Sequence, residues 1–590
     1  MPAPLEQPAF QQKLQQIATE SDLPLPQIRE QAIQSLNEMH SSRNGLAIRM
    51  FAALSRFMYS RGYDPQIIYD KKELDTVCEL SAKRSVVFLV THKTYLDFFV
   101  LYDFLRRHGI DPPFIFGGVN VAFAGFGNLA RHAGGIFIRR TFRDDKVYKA
   151  VLQRYIASLI GDNQSFMWAI EGTRSRTGKL VQPKLGLLKY VVDASEQIAE
   201  DAITYIPVSV AYDQIPDVID MSAQEAGAEK TAESVKWFLE YIRKTGGYFG
   251  NIYVRFGDAV MLRQTPDAPD LSTTQTSADP HTIEIGKLAF EVCYRINEVT
   301  PVTETSLALM SLLCRGTETE TKLHADVASL QHYIRIRQSS ALFHAPNRQV
   351  PLNLDATLSS LVDNGIIRVN ETQDGLTYSI ENGRYPVALY YSNMAVHHFV
   401  ITAFTEMGLL SLSRQVATSR VEFENEMLAL RELFKFEFFF APRDRFRQQF
   451  VDELTFLGTS FDELVDRGAE FAAGLLRGQP LLVAESALRP YLEAYHIVAT
   501  MLLNGPADLA ADSAAFVREC QHRSRENKLT GIDGNPHVAP RALLTNGYEL
   551  AKNRGLLQDP DPVTKRQNFV AEIDAVSKQL DELTGLMAQA

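Results

Sequence analysis

A histidine and a carboxylate, His92 and Asp97, stand five residues apart directly after the apolar run SVVFLV at 85–90. The short continuous apolar run predicts a buried strand. His92 and Asp97 follow its carboxyl end, where open α/β sheets collect ligands. Imidazole titrates near neutral pH, so His92 is a candidate general base and Asp97 a candidate for fixing its tautomer. Positions i and i+5 do not share a face of a regular helix, so the pairing requires an irregular first turn. The alternative is that Asp97 only caps a helix.

Two further predicted strand ends carry arginines. The segment GGIFIRR ends in Arg139 and Arg140, and the segment SFMWAIEGTRSR leads into Arg174 and Arg176. Guanidinium groups bind phosphate oxygens in a bidentate fashion. Residues 131–189 contain 12 Lys and Arg against 4 Asp and Glu, a local charge of +8. The pattern favours a phosphate site over its alternative, a solvated basic surface.

The order of β-rich and helical segments along the sequence predicts the elements that position these residues. Residues 81–300 alternate short β-rich runs with helical segments, which predicts an α/β domain with a largely parallel central sheet. Residues 1–80 favour helices, and residues 301–590 predict a mainly helical region. Within it, residues 318–382 contain a helix and two strands around an Asp-Gly turn, which indicates a winged-helix-like unit. No basic stripe accompanies this unit, so we expect a structural role.

The segment LAIRMFAALSRFMYSR at 46–61 predicts an amphipathic helix. Arginines surround its apolar stripe, and no acidic residue occurs between Glu38 and Asp64. This pattern is typical of a helix that lies on a membrane surface. The alternative is a helix packed on its own core with a solvated arginine face.

Composition narrows the function classes. The 590 residues include 60 basic and 71 acidic side chains, a net charge of −11, which argues against an unselective binder of nucleic acid or of anionic membrane. The four cysteines lie far apart and fit a reducing cytosol. The first residues show no secretory signal, so we expect a cytoplasmic protein. His397 and His398 lie in an apolar helical context and lack companion ligands in the sequence, so the pattern favours a core or polar-network role over metal binding.

One motif suggests another class of enzyme. Residues 125–130 satisfy the GxGxxG/A fingerprint of dinucleotide-binding proteins, and Arg139 or Arg140 could favour a 2′-phosphate. The acidic residue expected at the following strand end is missing. The sequence contains no GxSxG elbow, Walker loop or HExxH helix. A nicotinamide oxidoreductase therefore stays a minor alternative.

Four ordered blocks resemble the glycerol-3-phosphate and dihydroxyacetone-phosphate acyltransferases of the glycerophospholipid acyltransferase superfamily. They are the His-x4-Asp block, the GIFIRR block, the EGTRSR block and the proline-bearing strand IPVSVAYD, found at 92–97, 135–140, 171–176 and 206–213. The likeness extends over roughly residues 80–440. One departure is Lys93-Thr94, where the family commonly has Arg-Ser, so a bidentate fork becomes a point charge.

The resemblance implies a role for each matching position. His92 is the implied general base and Asp97 its orienting carboxylate, and Pro207 lies on the acyl-donor side. The implied phosphate and glycerol pocket comprises Arg139, Arg140, Glu171, Gly172, Arg174 and Arg176.

The implied reaction is acylation of the sn-1 hydroxyl of glycerol 3-phosphate. The acyl donor would be acyl-CoA or acyl carrier protein, and the reaction would need no metal or other cofactor. The protein would lie peripherally on the cytoplasmic side of the cell membrane. The alternatives are a dihydroxyacetone-phosphate or lysophosphatidate acyltransferase and, more remotely, a non-catalytic lipid- or phosphate-binding protein.

Overall fold

The structure is a computed structural model that describes residues 5–118, 126–139, 142, 144–198, 203–227, 235–262, 280–339, 353–373, 375–506, 509–527, 529–530, 536–557 and 562–588. Gly125, Arg140 and Asp374 lie outside these ranges. Within the ranges, the chain forms a seven-stranded sheet with helices on both faces and then a long, mainly helical region.

Helices dominate the first 83 residues. The elements are α1 (Pro8–Ser21), α2 (Leu25–Met39), α3 (Gly45–Ser60), β1 (Ile68–Tyr69) and α4 (Lys71–Lys83). Helix α1 buries Phe10, Leu14 and Ile17, which recur at helical spacing and so form one apolar face. Helix α3 begins after Asn44, whose side chain accepts a hydrogen bond from Ala47 N at 2.8 Å.

The central sheet is largely parallel. Its other strands are β2 (Ser85–Val90), β3 (Phe114–Gly118), β4 (Gly135–Ile138), β5 (Phe166–Ala169), β6 (Ile203–Tyr212) and β7 (Ile252–Phe256). The strand order is β1-β7-β6-β2-β5-β3-β4. Every neighbouring pair is parallel except β6 and β7, which run antiparallel. The prediction of an α/β domain with a largely parallel sheet is confirmed.

Helices cover both faces of this sheet, since parallel strands need crossover connections. They are α5 (Leu96–Arg107), α6 (Phe126–Ala133), α7 (Lys146–Gly161), α8 (Leu185–Glu196), α9 (Val218–Glu225), α10 (Val235–Lys244) and α11 (Pro280–Val299). Strand β2 is buried on both sides: Phe88 belongs to one core and Leu89 to the other. Val90 of β2 is paired with Ala169 of β5, so the loops that follow these strands lie side by side.

The rest of the chain is mainly helical. Its helices are α12 (Glu304–Arg315), α13 (Glu320–Ser339), α14 (Leu354–Asp363), α15 (Tyr385–Asn393), α16 (Val400–Ser413), α17 (Arg420–Leu433), α18 (Arg443–Phe456), α19 (Phe461–Arg477), α20 (Ala484–Asn504), α21 (Ser513–Asn527), α22 (Arg541–Asn553) and α23 (Pro562–Ala588). Its strands are β8 (Thr317–Thr319), β9 (Ile367–Thr372), β10 (Gly375–Ile380), β11 (Leu529–Thr530) and β12 (Pro536–His537).

Within residues 318–382, α13 and α14 precede the antiparallel β9–β10 hairpin, and β8 adds a third strand. The apolar core of the helical region is continuous with one face of the central sheet. The two parts of the chain therefore share a core. Among the described helices, none combines the length and apolar character needed to cross a bilayer.

Candidate active site

His92 lies in the loop between β2 and α5. Its Nδ1 is 3.0 Å from Oδ2 of Asp97, the second residue of α5. His92 lies before the first turn of α5, so the rule that positions i and i+5 of a regular helix do not share a face does not apply to this pair. A carboxylate oxygen accepts hydrogen bonds, so this contact places the proton on Nδ1 and leaves the lone pair on Nε2. Asp97 is fully buried, whereas the His92 side chain is 16% exposed and so reachable from solvent. The geometry suits a general base.

Asp97 also ties the loop together. Its Oδ2 accepts hydrogen bonds from Lys93 N at 2.7 Å and Thr94 N at 3.0 Å. Its Oδ1 accepts one from the Tyr212 hydroxyl at 2.8 Å. Burial, with the negative charge of Asp97, raises the pKa of Tyr212, so this hydroxyl stays a neutral donor. Asp97 therefore orients the imidazole and fixes the backbone beside it.

Glu171 connects the two strand-end loops from a buried position. Its Oε1 accepts a hydrogen bond from His92 N at 2.7 Å, and its Oε2 accepts one from Val181 N at 3.2 Å. Burial raises the pKa of the Glu171 carboxyl, while the backbone donors and nearby Lys93 oppose the rise. Because both oxygens bind backbone, the geometry indicates that Glu171 positions the loops.

Gly172 begins the turn that carries the arginines. Its φ is +68°, in the left-handed region that favours glycine. A Cβ at this position would lie 2.9 Å from Cγ of Lys184. Any other residue would therefore strain the turn and crowd the Lys184 side chain.

Arg174 and Arg176 both reach towards α9 and the residue before it. Arg174 is ion-paired with Asp217, donates to the Tyr95 hydroxyl at 3.0 Å and lies 3.8 Å from the centroid of that ring. Arg176 donates to Oε1 of Gln224 at 2.9 Å. Two guanidinium groups thus lie in one short loop beside His92, the arrangement expected of a site for a small phosphate.

The remaining predicted residues are placed differently. Arg139 lies just after β4, where it donates to Glu38 at 2.7 and 2.8 Å and to Asp145 at 2.9 Å. Two carboxylates therefore occupy its guanidinium group. Arg140 lies outside the described residues. Pro207 is buried in β6 beside Leu89 of β2.

His397 and His398 belong to a polar network, as expected. Each Nε2 lies 3.0 Å from a backbone carbonyl oxygen, that of Asn297 for His397 and that of Thr300 for His398. A carbonyl oxygen accepts, so both rings are held in one tautomer. Burial lowers the pKa of His398 to about 4. The pair lines a cavity of about 90 Å³.

Sequence reasoning missed several residues of the site. Tyr212 was within a recognised block, yet no pattern indicated that its hydroxyl reaches Asp97. Asp217 follows that block by four residues and carries no spacing signal. Lys179 lies in the arginine loop and pairs with Glu437, which is 258 residues away. A contact of that separation leaves no local signature.

Comparison with known proteins first gives the class of the protein. A family model described as acyltransferase matches residues 70–211, which include the His92 loop and the arginine loop. The protein is an acyltransferase.

The particular family follows from the rest of the chain. A model described as the glycerol-3-phosphate acyltransferase C-terminal region matches residues 221–560, more than half of the chain. The Mycobacterium tuberculosis protein named as acyltransferase plsB1 is 30% identical over 584 residues, covering 98% of this chain and 92% of that protein. The chain belongs to the glycerol-3-phosphate acyltransferase family.

Two further likenesses are more distant. The glycerol-3-phosphate acyltransferase of Pseudomonas putida is 25% identical over 422 residues, covering 69% of this chain and 49% of that protein. The crystal structure of the 1-acyl-sn-glycerophosphate acyltransferase PlsC from Thermotoga maritima covers 42% of this chain and 76% of its own, at 14% identity and a TM-score of 0.26.

Proposed function

We propose that the protein is a glycerol-3-phosphate 1-O-acyltransferase. It transfers a fatty acyl group from acyl-CoA or acyl carrier protein to the sn-1 hydroxyl and yields lysophosphatidate, the first step of phospholipid synthesis. The observation that carries the proposal is the His92–Asp97 pair at 3.0 Å beside the loop of Arg174 and Arg176. A base next to a phosphate-binding loop suits an acceptor that has both a hydroxyl and a phosphate.

The chemistry follows from the tautomer. Nε2 of His92 takes the proton of the acceptor hydroxyl while that oxygen attacks the thioester carbonyl carbon. The carbon–sulfur bond then breaks, the thiolate leaves, and the proton on Nε2 passes to the sulfur. Asp97 stabilises the imidazolium that forms between these steps, as a buried carboxylate on Nδ1 does. Holding both substrates in one orientation supplies a large part of the acceleration.

In this proposal the acceptor phosphate binds to Arg174 and Arg176. The guanidinium group of Arg174 already binds Asp217. Because a guanidinium group has five N–H donors, it can bind the phosphate as well. Arg139 and Arg140 extend the pocket, and Arg139 must exchange a carboxylate for phosphate to do so. Pro207 shapes the acyl-donor side.

We also propose that the protein lies on the cytoplasmic face of the cell membrane through α3. Leu46, Met50 and Phe57 of this helix are 61%, 53% and 47% exposed, although its other face is buried. They follow one another at helical spacing, and Arg49 and Arg56 flank them. An apolar stripe between arginines suits an anionic lipid surface.

A matched pair of triple and double variants tests the membrane proposal. Replacing Leu46, Met50 and Phe57 with serine should lower co-sedimentation with phosphatidylglycerol vesicles several-fold, because the inserted apolar area is lost. Replacing Val416 and Val421 with serine should leave co-sedimentation unchanged, because these two valines are exposed in and just before α17 and not on α3. Equal binding by the triple variant and the wild type would refute the role of α3.

An acceptor panel tests the reaction itself. Acyl-CoA labelled with ¹³C at the carbonyl is offered with glycerol 3-phosphate, dihydroxyacetone phosphate or lysophosphatidate, and thiol release is recorded. The proposal predicts fastest release with glycerol 3-phosphate and an NMR signal of an sn-1 ester. Faster acylation of either other acceptor, or acylation at sn-2, would assign a different member of the acyltransferases.

A further inference from the structure

A buried ion pair joins the arginine loop to the distant helical region. Lys179 lies in the loop that carries Arg174 and Arg176, and its ammonium group is paired with the carboxylate of Glu437. The same ammonium group also donates to the backbone oxygen of Glu437 at 3.0 Å. The two side chains are 4% and 0% exposed, so the pair is shielded from solvent.

Glu437 is held by two further helices. The Tyr495 hydroxyl of α20 donates to its Oε1 at 3.0 Å, and Nδ2 of Asn546 of α22 donates to its Oε2 at 3.0 Å. The ammonium group of Lys179 also lies 4.3 Å from the centroid of the Tyr491 ring. A buried ion pair is retained without a large penalty where its remaining hydrogen bonds are satisfied. Here α20 and α22 both contact the ion pair that Lys179 forms with Glu437, which lies in the segment after α17.

Hydrogen bonds connect Lys179, through Ser175, with the backbone of the His92 loop. The Ser175 hydroxyl donates to Lys179 O at 2.7 Å, and Ser175 N donates to His92 O at 2.7 Å. Gly178 N donates back to the Ser175 hydroxyl at 3.1 Å, and Nζ of Lys93 donates to Gly178 O at 2.8 Å. Ser175 stands between the two arginines in the sequence. A displacement of Lys179 therefore reaches Arg174 and Arg176 directly, whereas it reaches His92 only at a backbone oxygen, and the imidazole keeps its own partner Asp97.

Helix α15 supports the same loop from the side. Nδ2 of Asn393 donates to Thr177 O at 2.8 Å, and the Tyr491 hydroxyl donates to Oδ1 of Asn393 at 2.8 Å. Gly178 has φ +86°, and a Cβ there would collide with the backbone of Tyr390. The loop therefore fits against the helical region without room for a larger residue.

We propose that Glu437 is a positioning residue for the acceptor site: its ion pair with Lys179 holds the loop of Arg174 and Arg176 in the geometry that binds the phosphate. The inference rests on the proposed function, in which these arginines bind the acceptor. Glu437 itself touches no substrate. It acts through the loop, so its loss weakens acceptor binding and leaves the acyl donor unaffected.

The variant E437Q tests this role, with E453Q as the matched control. Glu453 is also buried and ion-paired, with Arg337 and the Tyr333 hydroxyl, but its partners lie in the helical region and not in the arginine loop. We expect E437Q to raise the acceptor KM about tenfold or more, since small misplacements of binding groups are costly, with an unchanged acyl-CoA KM. E453Q should change neither KM. The double variant K179M/E437Q should be no worse than E437Q, because the pair acts as one unit.

Hydrogen exchange separates this inference from the proposed function. In E437Q the amides of residues 172–181 should exchange faster than in the wild type, whereas in E453Q they should not. If the wild type acylates no acceptor in the panel, the proposed function fails. The exchange rates still show whether Glu437 stabilises the arginine loop. Two results would overturn the role of Glu437. One is wild-type exchange of residues 172–181 in E437Q, and the other is an acceptor KM that rises equally in E437Q and E453Q.

Discussion

The loops after β2 and β5 lie side by side, yet they are held in different ways. The His92 loop is fixed within the α/β domain: Asp97 is five residues away, and Tyr212 ends the neighbouring strand β6. The arginine loop is fixed by the helical region through Glu437 and Asn393. The proposed base is thus positioned locally, while the proposed acceptor site depends on residues more than 200 positions away.

This difference separates two functions in one site. In the proposed mechanism, the local support sets the tautomer of His92 and hence the chemical step. The remote support holds the loop of Arg174 and Arg176, which in the proposed function binds the acceptor. The long helical region of this chain therefore supports the proposed acceptor site, although it supplies none of the four sequence blocks.

The largest expected effect is at the base. His92→Ala should lower kcat by about 10³-fold, because general-base catalysis contributes roughly 10² to 10⁴. The acceptor KM should change little, since the arginine loop keeps its own anchors. Steady-state thiol release measures both constants. The exposed His496 provides the control H496A, which should match the wild type. A kcat for H92A within threefold of the wild type would contradict the assignment.

A smaller effect distinguishes two arginines. Arg174→Ala should raise the acceptor KM by roughly 10-fold to 100-fold, because it removes charge-assisted bonds of about 1.5–3 kcal/mol. Arg139→Ala should raise it less, since Glu38 and Asp145 already occupy that guanidinium group. The acceptor KM of each variant at saturating acyl-CoA gives the comparison. A larger effect at Arg139 would place the phosphate nearer β4.

The last prediction concerns stability and not catalysis, at the start of α20, the helix that carries Tyr491 and Tyr495. Buried Glu406 accepts hydrogen bonds from Val483 N and Ala484 N at the start of α20, and burial raises its pKa to about 8. The folded chain keeps this proton between pH 4.5 and about 8 while the unfolded chain releases it. The free energy of unfolding should therefore fall as pH rises, by up to about 1.4 kcal/mol per pH unit for this group.

Denaturant unfolding at several pH values checks this expectation. Glu406→Gln should remove that part of the slope, because the amide does not titrate. The exposed Glu470 offers the control E470Q, whose slope should equal that of the wild type. A wild-type slope in E406Q would show that the carboxyl keeps an ordinary pKa.

Much of the fold and the contact between His92 and Asp97 could be predicted from the sequence. The strands around residues 85–90 and 166–169 are short apolar runs that end in polar residues, a pattern that depends on local sequence alone. The His92–Asp97 pair was recognised for the same reason. The resemblance extended this to the family, which the comparisons confirm.

The supports could not be predicted. Glu171 was assigned to the acceptor pocket, but its oxygens bind backbone, and no sequence pattern distinguishes these uses of a carboxylate. Arg139 was grouped with the phosphate ligands, while its partners Glu38 and Asp145 come from α2 and the residue before α7. Lys179 and Glu437 meet only because two regions share a core. Such contacts depend on tertiary packing.

The most direct test is one titration of glycerol 3-phosphate at saturating acyl-CoA with the wild type, H92A and E437Q. The central claim is that the imidazole of His92 and the arginine loop have different main supports, although hydrogen bonds to backbone join the two loops. It predicts that H92A loses kcat at a nearly unchanged acceptor KM, while E437Q raises the acceptor KM and keeps most of its kcat. If both variants changed the same constant to the same extent, the two loops would act as one unit and the claim would be wrong.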